Sequence, residues 1–235
     1  MAAITDDRGF NQIFEQTEGN LIRLKRRADW MIQEMAPSPN KKILEIGCGT
    51  GYVSYYLAEK TQMQMIGSDL CKPFIEEAKA KYVSPKLSYE VLDFNEAANS
   101  IHNKFDYIIG NGILHHLYYN LSDVFPTLKN LLNPGGKIIF MEPNIYNPYV
   151  AAIFKNPTLR KWANLEPDEM AFSKSYIDKK LRNADFKNIN IAYKDFLLPG
   201  IPEIFIKPSI SIGNILEKTP LKIISQSILI SATKD

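Results

Sequence analysis

The sequence predicts an α/β protein built on a mostly parallel sheet with helices on both faces. Three observations predict it. Between residues 41 and 142, short apolar runs alternate with helical stretches, the pattern of strands joined by crossover helices. The runs are near-continuous in apolar residues, as in strands covered on both faces. The first run ends in a glycine-rich turn that leads into a helix, Gly47-Cys48-Gly49-Thr50-Gly51.

The elements follow in order. Ile13, Phe14, Thr17, Leu21, Leu24, Ala28, Met31, Ile32 and Met35 recur at three- and four-residue steps, one face of a helix. Gly19-Asn20 can interrupt it, with Asn20 as a fresh N-cap, and Pro37 and Pro39 stop it. Arg23, Lys25, Arg26 and Arg27 make this helix basic. A solvated face is the plainer reading of such a charge run, and a grip on a carboxylate or phosphate is the other. Lys42–Ile46 is a buried strand and Tyr52–Lys60 a helix. Met63–Gly67 is the next strand, and Pro73–Tyr82 is a helix with Pro in its first turn. Leu87–Leu92 and Phe105–Ile109 are strands. Leu121–Leu132 is a helix closed by Asn133-Pro134-Gly135-Gly136, and Lys137–Met141 is a strand.

The last third changes character. Residues 144–172 are rich in Pro, Asn and aromatics, with short helical pieces at best. Ser175–Ala184 reads as a helix with Ser175 and Asp178 as a weak capping box. Lys187–Tyr193 alternates as a strand, and Gln226–Thr233 is a second candidate. The Ile- and Pro-rich stretch between them is too long for a hairpin turn. It predicts one or two short helices over the sheet edge.

Composition bounds the function. At ~150 residues per domain, 235 residues leave one domain or two undecided. The 28 basic and 26 acidic residues give a formal charge of +2, which excludes a bulk polycation for nucleic acid and an acidic tail protein. No nucleic-acid partner is expected. Two cysteines are too few for a disulfide scaffold and fit a reducing compartment. The acidic N-terminus lacks the form of a signal peptide, and no run reaches the ~18 apolar residues of a membrane span. The expected location is the cytoplasm.

The strand–glycine loop–helix unit carries the sharpest chemistry. Glycines let a backbone approach a ligand without a Cβ in the way, and the helix N-terminus offers free N–H groups. Such a loop suits nucleotides, dinucleotides or S-adenosyl-L-methionine. Dinucleotide folds use Gly-x-Gly-x-x-Gly, and Tyr52 stands where the third glycine would fall. The Gly-Lys-Ser/Thr of a phosphate loop is absent. Asp69 ends the second strand, 22 residues after Gly47, where a carboxylate can accept from both ribose hydroxyls. Asp93-Phe94 follows the third strand, and Asn111 ends the fourth.

In this order and spacing, these pieces resemble the class I S-adenosylmethionine-dependent methyltransferases over about residues 40–142 and a final hairpin. The resemblance implies a Rossmann-like doubly wound sheet of seven strands, mostly parallel with the last antiparallel. It implies Glu45, Gly47, Gly49 and Gly51 around the methionine part, Asp69 on the ribose and Leu70 against the adenine. It implies Asp93 and Phe94 at the adenine edge and Asn111 at the rim near the sulfonium. The chain then reads as one domain, 1–235. Its parts are an N-terminal helical extension (1–40), a cofactor core (41–142) and cap insertions (143–172 and 197–225). Cys48 reads as a small packing residue in the loop.

Methyl transfer is an in-line displacement that needs an aligned acceptor, excluded water and often a base. His115 and His116 follow the fourth strand in Leu114-His115-His116-Leu117, and histidine suits a base near neutrality. His102 lies in a polar loop and reads as exposed. In the resembled family such a pair often faces the acceptor, joined by a carboxylate after the fifth strand, here Glu142. Either histidine is then the base and Glu142 orients it or the substrate. The plainer alternative is that a histidine caps or packs under the cofactor loop. Asn111-Gly112-Ile113-Leu114 lacks the Asn/Asp-Pro-Pro-Tyr/Phe of enzymes that methylate adenine or amide nitrogens. Asp106 reads as strand and Asp123 as helix, so no extra carboxylates near this loop, and no metal, are expected.

The expected function is methyl transfer to oxygen or carbon of a small-molecule or lipid-like acceptor. The alternatives are an inactive cofactor-binding module, a methyltransferase for protein or RNA, and, against the missing glycine, a nicotinamide oxidoreductase. Tyr146, Tyr149, Phe154, Trp162 and Phe172 can line an apolar pocket or form the core under a cap. Ile201, Ile204, Phe205, Ile206, Ile210, Ile212, Ile215 and Leu216 leave a packed cap, a dimer contact, an apolar acceptor site and a peripheral membrane contact through 199–224 open.

Overall fold

The structure is a computed structural model that describes residues 17–92 and 103–235. Ile13, Phe14, Asp93, Phe94 and His102 lie outside the described residues. Helix α1 (Glu18–Gln33) leads to β1 (Lys42–Ile46), α2 (Tyr52–Thr61), β2 (Gln64–Asp69), α3 (Lys72–Lys81) and β3 (Leu87–Val91). Strand β4 (Phe105–Asn111) is followed by a 3₁₀ turn (Leu114–Asn120), α4 (Leu121–Leu131) and β5 (Leu132–Pro143). The cap contributes α5 (Pro148–Lys155) and α6 (Pro157–Trp162). The chain ends with α7 (Lys174–Asn183), β6 (Lys187–Lys194), α8 (Glu203–Leu216), a 3₁₀ turn (Pro220–Ile224) and β7 (Ser227–Thr233).

All seven strands join one sheet in the order β3-β2-β1-β4-β5-β7-β6. The first five are parallel to their neighbours, and β7 runs antiparallel between β5 and β6. The expected Rossmann-like architecture, with its antiparallel last strand, is what the chain forms. Successive strand residues face opposite sides, as the pleat requires. Leu44, Ile108 and Ile138 pack with α4 and α7 through Phe125, Leu128, Ile177 and Leu181. Ile43, Ile109 and Ile139 pack with α1 and α2 through Ala28, Met31, Val53 and Leu57. Both faces are therefore dry, which explains the near-continuous apolar runs.

Several boundaries differ from expectation. Thr17 caps α1, its Oγ1 accepting from the Asn20 N–H at 3.3 Å, so Gly19-Asn20 lies inside the helix. Ser173, not Ser175, caps α7, because its hydroxyl reaches the Tyr176 N–H at 3.2 Å. The Asn133-Pro134-Gly135-Gly136 segment, expected to close α4, lies inside β5, which starts at Leu132 directly after the helix. Leu132 pairs with Phe105, and the register then shifts until Lys137 pairs with Tyr107. The Ile-rich stretch holds one 14-residue helix and the 3₁₀ turn, as the length argument required.

The basic cluster on α1 divides: Lys25 is exposed, whereas Arg23 and Arg27 turn inward. Arg27 is only 5% exposed. Its guanidinium donates to Asp195 Oδ2 at 3.0 Å, Asn111 Oδ1 at 3.0 Å and Ser227 Oγ at 2.6 Å. Arg23 lies 3.5 Å from the same carboxylate and donates to Gln226 at 3.1 Å. Burial, and then the neighbouring Arg27, push the Arg23 guanidinium down to about 9. One buried carboxylate thus ties α1 to the ends of β4, β6 and β7. Asp195→Ala leaves two cations without their counter-ion and should cost about 3–5 kcal/mol in urea unfolding. A doubly apolar Arg27→Met/Asp195→Leu variant should lose less.

Candidate active site

The glycine loop owes its shape to close neighbours. Gly47 has φ +67°, and a Cβ there would stand 2.7 Å from Ile113. Gly51 has φ +85°, and a Cβ would meet Tyr89 at 2.7 Å. Either residue tolerates only hydrogen at that place. Gly49 is different: its φ is +53°, and a Cβ would meet nothing within 4 Å. It borders a cavity of about 220 Å³. Glu45, Gly47, Cys48 and Asn111 line the same space, together with Asn20, Leu21, Arg23 and Leu24 of α1.

Glu45 is buried and takes the Ser54 hydroxyl proton in a hydrogen bond. Burial, reinforced by the charge of Asp69, pushes its carboxyl up to about 8. Asp69 binds the loop itself: Oδ2 accepts from the Gly49 N–H at 2.8 Å and Oδ1 from the Cys71 N–H at 2.9 Å. Leu70 beside it is exposed. Burial also holds the Cys48 thiol well above its ordinary range, in keeping with a packing role. Gly51 lies under Tyr89 rather than on the cavity wall. Sequence reasoning therefore brought Glu45, Gly47, Gly49 and Asn111 to one space, with Asp69 one hydrogen bond away.

A second cluster adjoins it. Glu142, at the end of β5, is 1% exposed. Its Oε1 accepts from the Ile113 N–H at 3.0 Å and the Leu114 N–H at 2.8 Å. Its Oε2 takes the His115 N–H at 3.3 Å and contacts the His115 ring Nδ1 at 2.9 Å. A carboxylate that already accepts three N–H groups makes Nδ1 the donor, so the lone pair of neutral His115 lies on Nε2. Ile113 is the residue against which Gly47 packs, so one side chain separates this cluster from the cofactor loop.

The cap supplies residues that sequence reasoning missed. Glu169, 2% exposed, has one oxygen 3.7 Å from His115 Nε2 and the other 3.2 Å from His116 Nδ1. Glu166 lies 3.7 Å from His116 Nδ1. Burial opposes a charge on His116. A bond to Glu166 and the charges of Glu169, Glu166 and Glu142 outweigh it and hold His116 above the ordinary imidazole value. The Arg160 guanidinium clamps this loop by donating to the carbonyls of Phe154, Glu169, Glu166 and Pro167. The signal was Glu166-Pro167-Asp168-Glu169, three acids inside an aromatic segment. His115, His116 and Glu169 place donor atoms within 4.8 Å of one another, close enough to share one cation. The expectation of no extra carboxylate near the loop holds for Asp106 and Asp123 but not for Glu169. The aromatics split: Phe154 and Phe172 are buried, whereas Tyr146, Tyr149 and Trp162 are exposed.

Known proteins resemble this chain in sequence and in fold. Residues 43–136 match the family described as "Methyltransferase domain". The tRNA U34 carboxymethyltransferase of Pseudoalteromonas atlantica is 29% identical over 118 residues, 48% of this chain and 36% of that protein. Phosphoethanolamine N-methyltransferase 1 of Arabidopsis thaliana is 30% identical over 138 residues, 58% of this chain and 27% of that protein. The chain thus spans about a third or less of these curated relatives. A SAM-dependent methyltransferase from Archaeoglobus fulgidus superposes with a TM-score of 0.65 at 19% identity, covering 91% of this chain and 94% of that one. Residues 43–136 are a methyltransferase domain, and the fold around them is that of the class I S-adenosylmethionine-dependent methyltransferases.

Glu45 generates a pH prediction. Its carboxyl stays neutral in the fold up to about pH 8 but ionises near 4.5 when unfolded, so folding becomes less favourable as pH rises between those values. Glu45→Gln keeps a partner for Ser54 and removes that slope. Melting curves across the range should show the variant gaining on the wild type as pH rises.

Proposed function

We propose that this protein is an S-adenosyl-L-methionine-dependent methyltransferase acting on oxygen or carbon of a small-molecule or lipid-like acceptor. It works as one domain with a cap. The observation that carries the reading is the His115–Glu142 pair, at the ends of two parallel strands beside a glycine-lined cavity. Open α/β sheets bind ligands at that edge. The open space at Gly49 suits close approach of the cofactor, and the buried Glu45 carboxyl, neutral by itself, ionises when a cationic amino group pairs with it. Glu45, Gly47 and Gly49 hold the methionine part, and Gly51 shapes the loop from beneath. Asp69 takes the ribose, with Leu70 against the adenine, and Asp93 and Phe94 are assigned to the adenine edge. Asn111, held by Arg27, forms the rim.

The bound cofactor supplies an electrophilic methyl group. The protein's part is to bury the acceptor and receive its proton. Glu142 fixes the His115 ring with Nδ1–H inward, which leaves Nε2 to take the proton. The resulting imidazolium lies between two carboxylates, Glu142 and Glu169. His116, whose charged form Glu166 and Glu169 stabilise, anchors the cap through those two carboxylates.

Isothermal titration should show binding of S-adenosylmethionine and S-adenosylhomocysteine and none of NAD. Binding of NAD alone would remove the reading. With the cofactor's methyl group labelled, aqueous and organic extracts can be assayed for incorporation. His115→Ala should lose ~10²–10⁴ in kcat, with cofactor affinity unchanged. Full turnover in both His115→Ala and His116→Ala would remove the base from the mechanism. Label in RNA or protein would move the acceptor to those classes, and cofactor binding without incorporation would favour a binding module. Activity should survive chelation with EDTA. Loss that a divalent ion restores would transfer proton removal from His115 to a cation held by the histidines and Glu169.

A further inference from the structure

Helix α8 carries apolar side chains on two opposite sides, with Glu203, Lys207 and Asn214 together on a polar flank. Ile206 and Gly213 are its buried side. Gly213 backs onto Phe196, and Ile206 reaches Gly19 of α1. On the opposite side, positions 204, 208, 211, 212 and 215 form one helical stripe. Ile204 and Ile215 there are 78% and 66% exposed, with Ile212 between them and Phe205 alongside. The 3₁₀ turn adds exposed Leu221 and Ile223. Asn144 and Asn147 donate to the carbonyls of Ile223 and Ile224, which fixes the half-exposed Tyr146 next to that turn. A helix apolar on two opposite sides has two faces to bury, and this one buries only one of them within the fold.

The charges around the stripe narrow the occupant. Lys207, Lys218 and Lys222 are exposed on this segment. Of its two acids, Glu217 is engaged by Lys194 at 3.1 Å and by the Asp195 N–H at 3.0 Å, which leaves Glu203. Exposed isoleucines flanked by lysines match the layered chemistry of an anionic lipid surface, acyl chains beneath phosphates.

We propose that α8 and the 3₁₀ turn dock this protein on anionic membranes. Ile204, Phe205, Ile212 and Ile215 enter the boundary of headgroups and acyl chains, and the lysines meet the phosphates. Among the described residues no helix is long and apolar enough to cross a membrane, so the contact is peripheral. Helix α8 packs on α1, and α1 lines the cofactor cavity, so docking places the cavity beside the lipid surface. An apolar acceptor then reaches the site without crossing water, a consequence that rests on the methyltransferase reading. The docking itself does not.

The test is co-sedimentation of the full chain with phosphatidylcholine vesicles, with and without phosphatidylglycerol. The wild type should pellet with the anionic vesicles and be released by salt. Ile204→Ser/Ile212→Ser/Ile215→Ser should weaken binding at least tenfold, and each Lys→Gln change at 207, 218 or 222 about fivefold. Both sets change exposed side chains, and circular dichroism and cofactor titration should match the wild type. No binding of the wild type, or equal binding by the isoleucine variant, would overturn the proposal. So would a dimer in analytical ultracentrifugation that the isoleucine changes dissolve, because a second copy would then cover the stripe. The separate cofactor titration keeps failure of docking distinct from failure of the methyltransferase reading.

Discussion

Glu142 is the residue on which the rest of the site depends. The chain leaves β4 and must turn at once into the 3₁₀ segment, which strands its first N–H groups inside the protein. Unpaired, each would cost the free energy of a buried orphan donor. The Glu142 carboxylate, projecting from the end of β5, accepts three of them and the His115 ring as well. The group that makes the turn foldable is therefore the group that sets the tautomer of the candidate base. Structure and chemistry use the same four hydrogen bonds, so neither can be altered without the other.

The same economy appears on the other side of the sheet. Asp195 is buried and faces Arg27 and Arg23. That network joins α1 to the chain termini of three strands and positions Asn111, which lines the cofactor cavity. The cap is fixed in a comparable way, by the Arg160 fork on four carbonyls and by His116 between Glu166 and Glu169. A planar guanidinium suits such convergent acceptors, and a lysine ammonium would not span them. Two segments outside the methyltransferase core thus complete the site through buried charge.

The core was legible because its signals are local. Each strand was visible as an apolar run, and the glycine loop as a spacing that sterics demand. Gly47 and Gly51 are glycine because Ile113 and Tyr89 stand where a Cβ would go. The hidden parts depend on partners far along the chain. Arg23 and Arg27 look like a solvated basic run until Asp195, 168 residues beyond Arg27, is brought beside them. Glu169 looks like a loop acid until it meets His115 and His116, about 50 residues earlier. Cap positions were missed by two or three residues at Thr17 and Ser173, since several hydroxyls and amides compete near a helix start and backbone geometry selects one.

The sequence by itself determined the sheet, the glycine loop and the membership of His115, His116 and Glu142 in one neighbourhood, because strand ends in an open parallel sheet converge on one edge. Tertiary structure alone separates the two histidines into a candidate base and a candidate anchor for the cap. That choice turns on where Glu142 and the two cap carboxylates fall around two adjacent rings. It also decided that the isoleucines of α8 divide between a packed side and an exposed one. Periodicity cannot choose between two opposite apolar sides of one helix, so only its seat on α1 and Phe196 could do so.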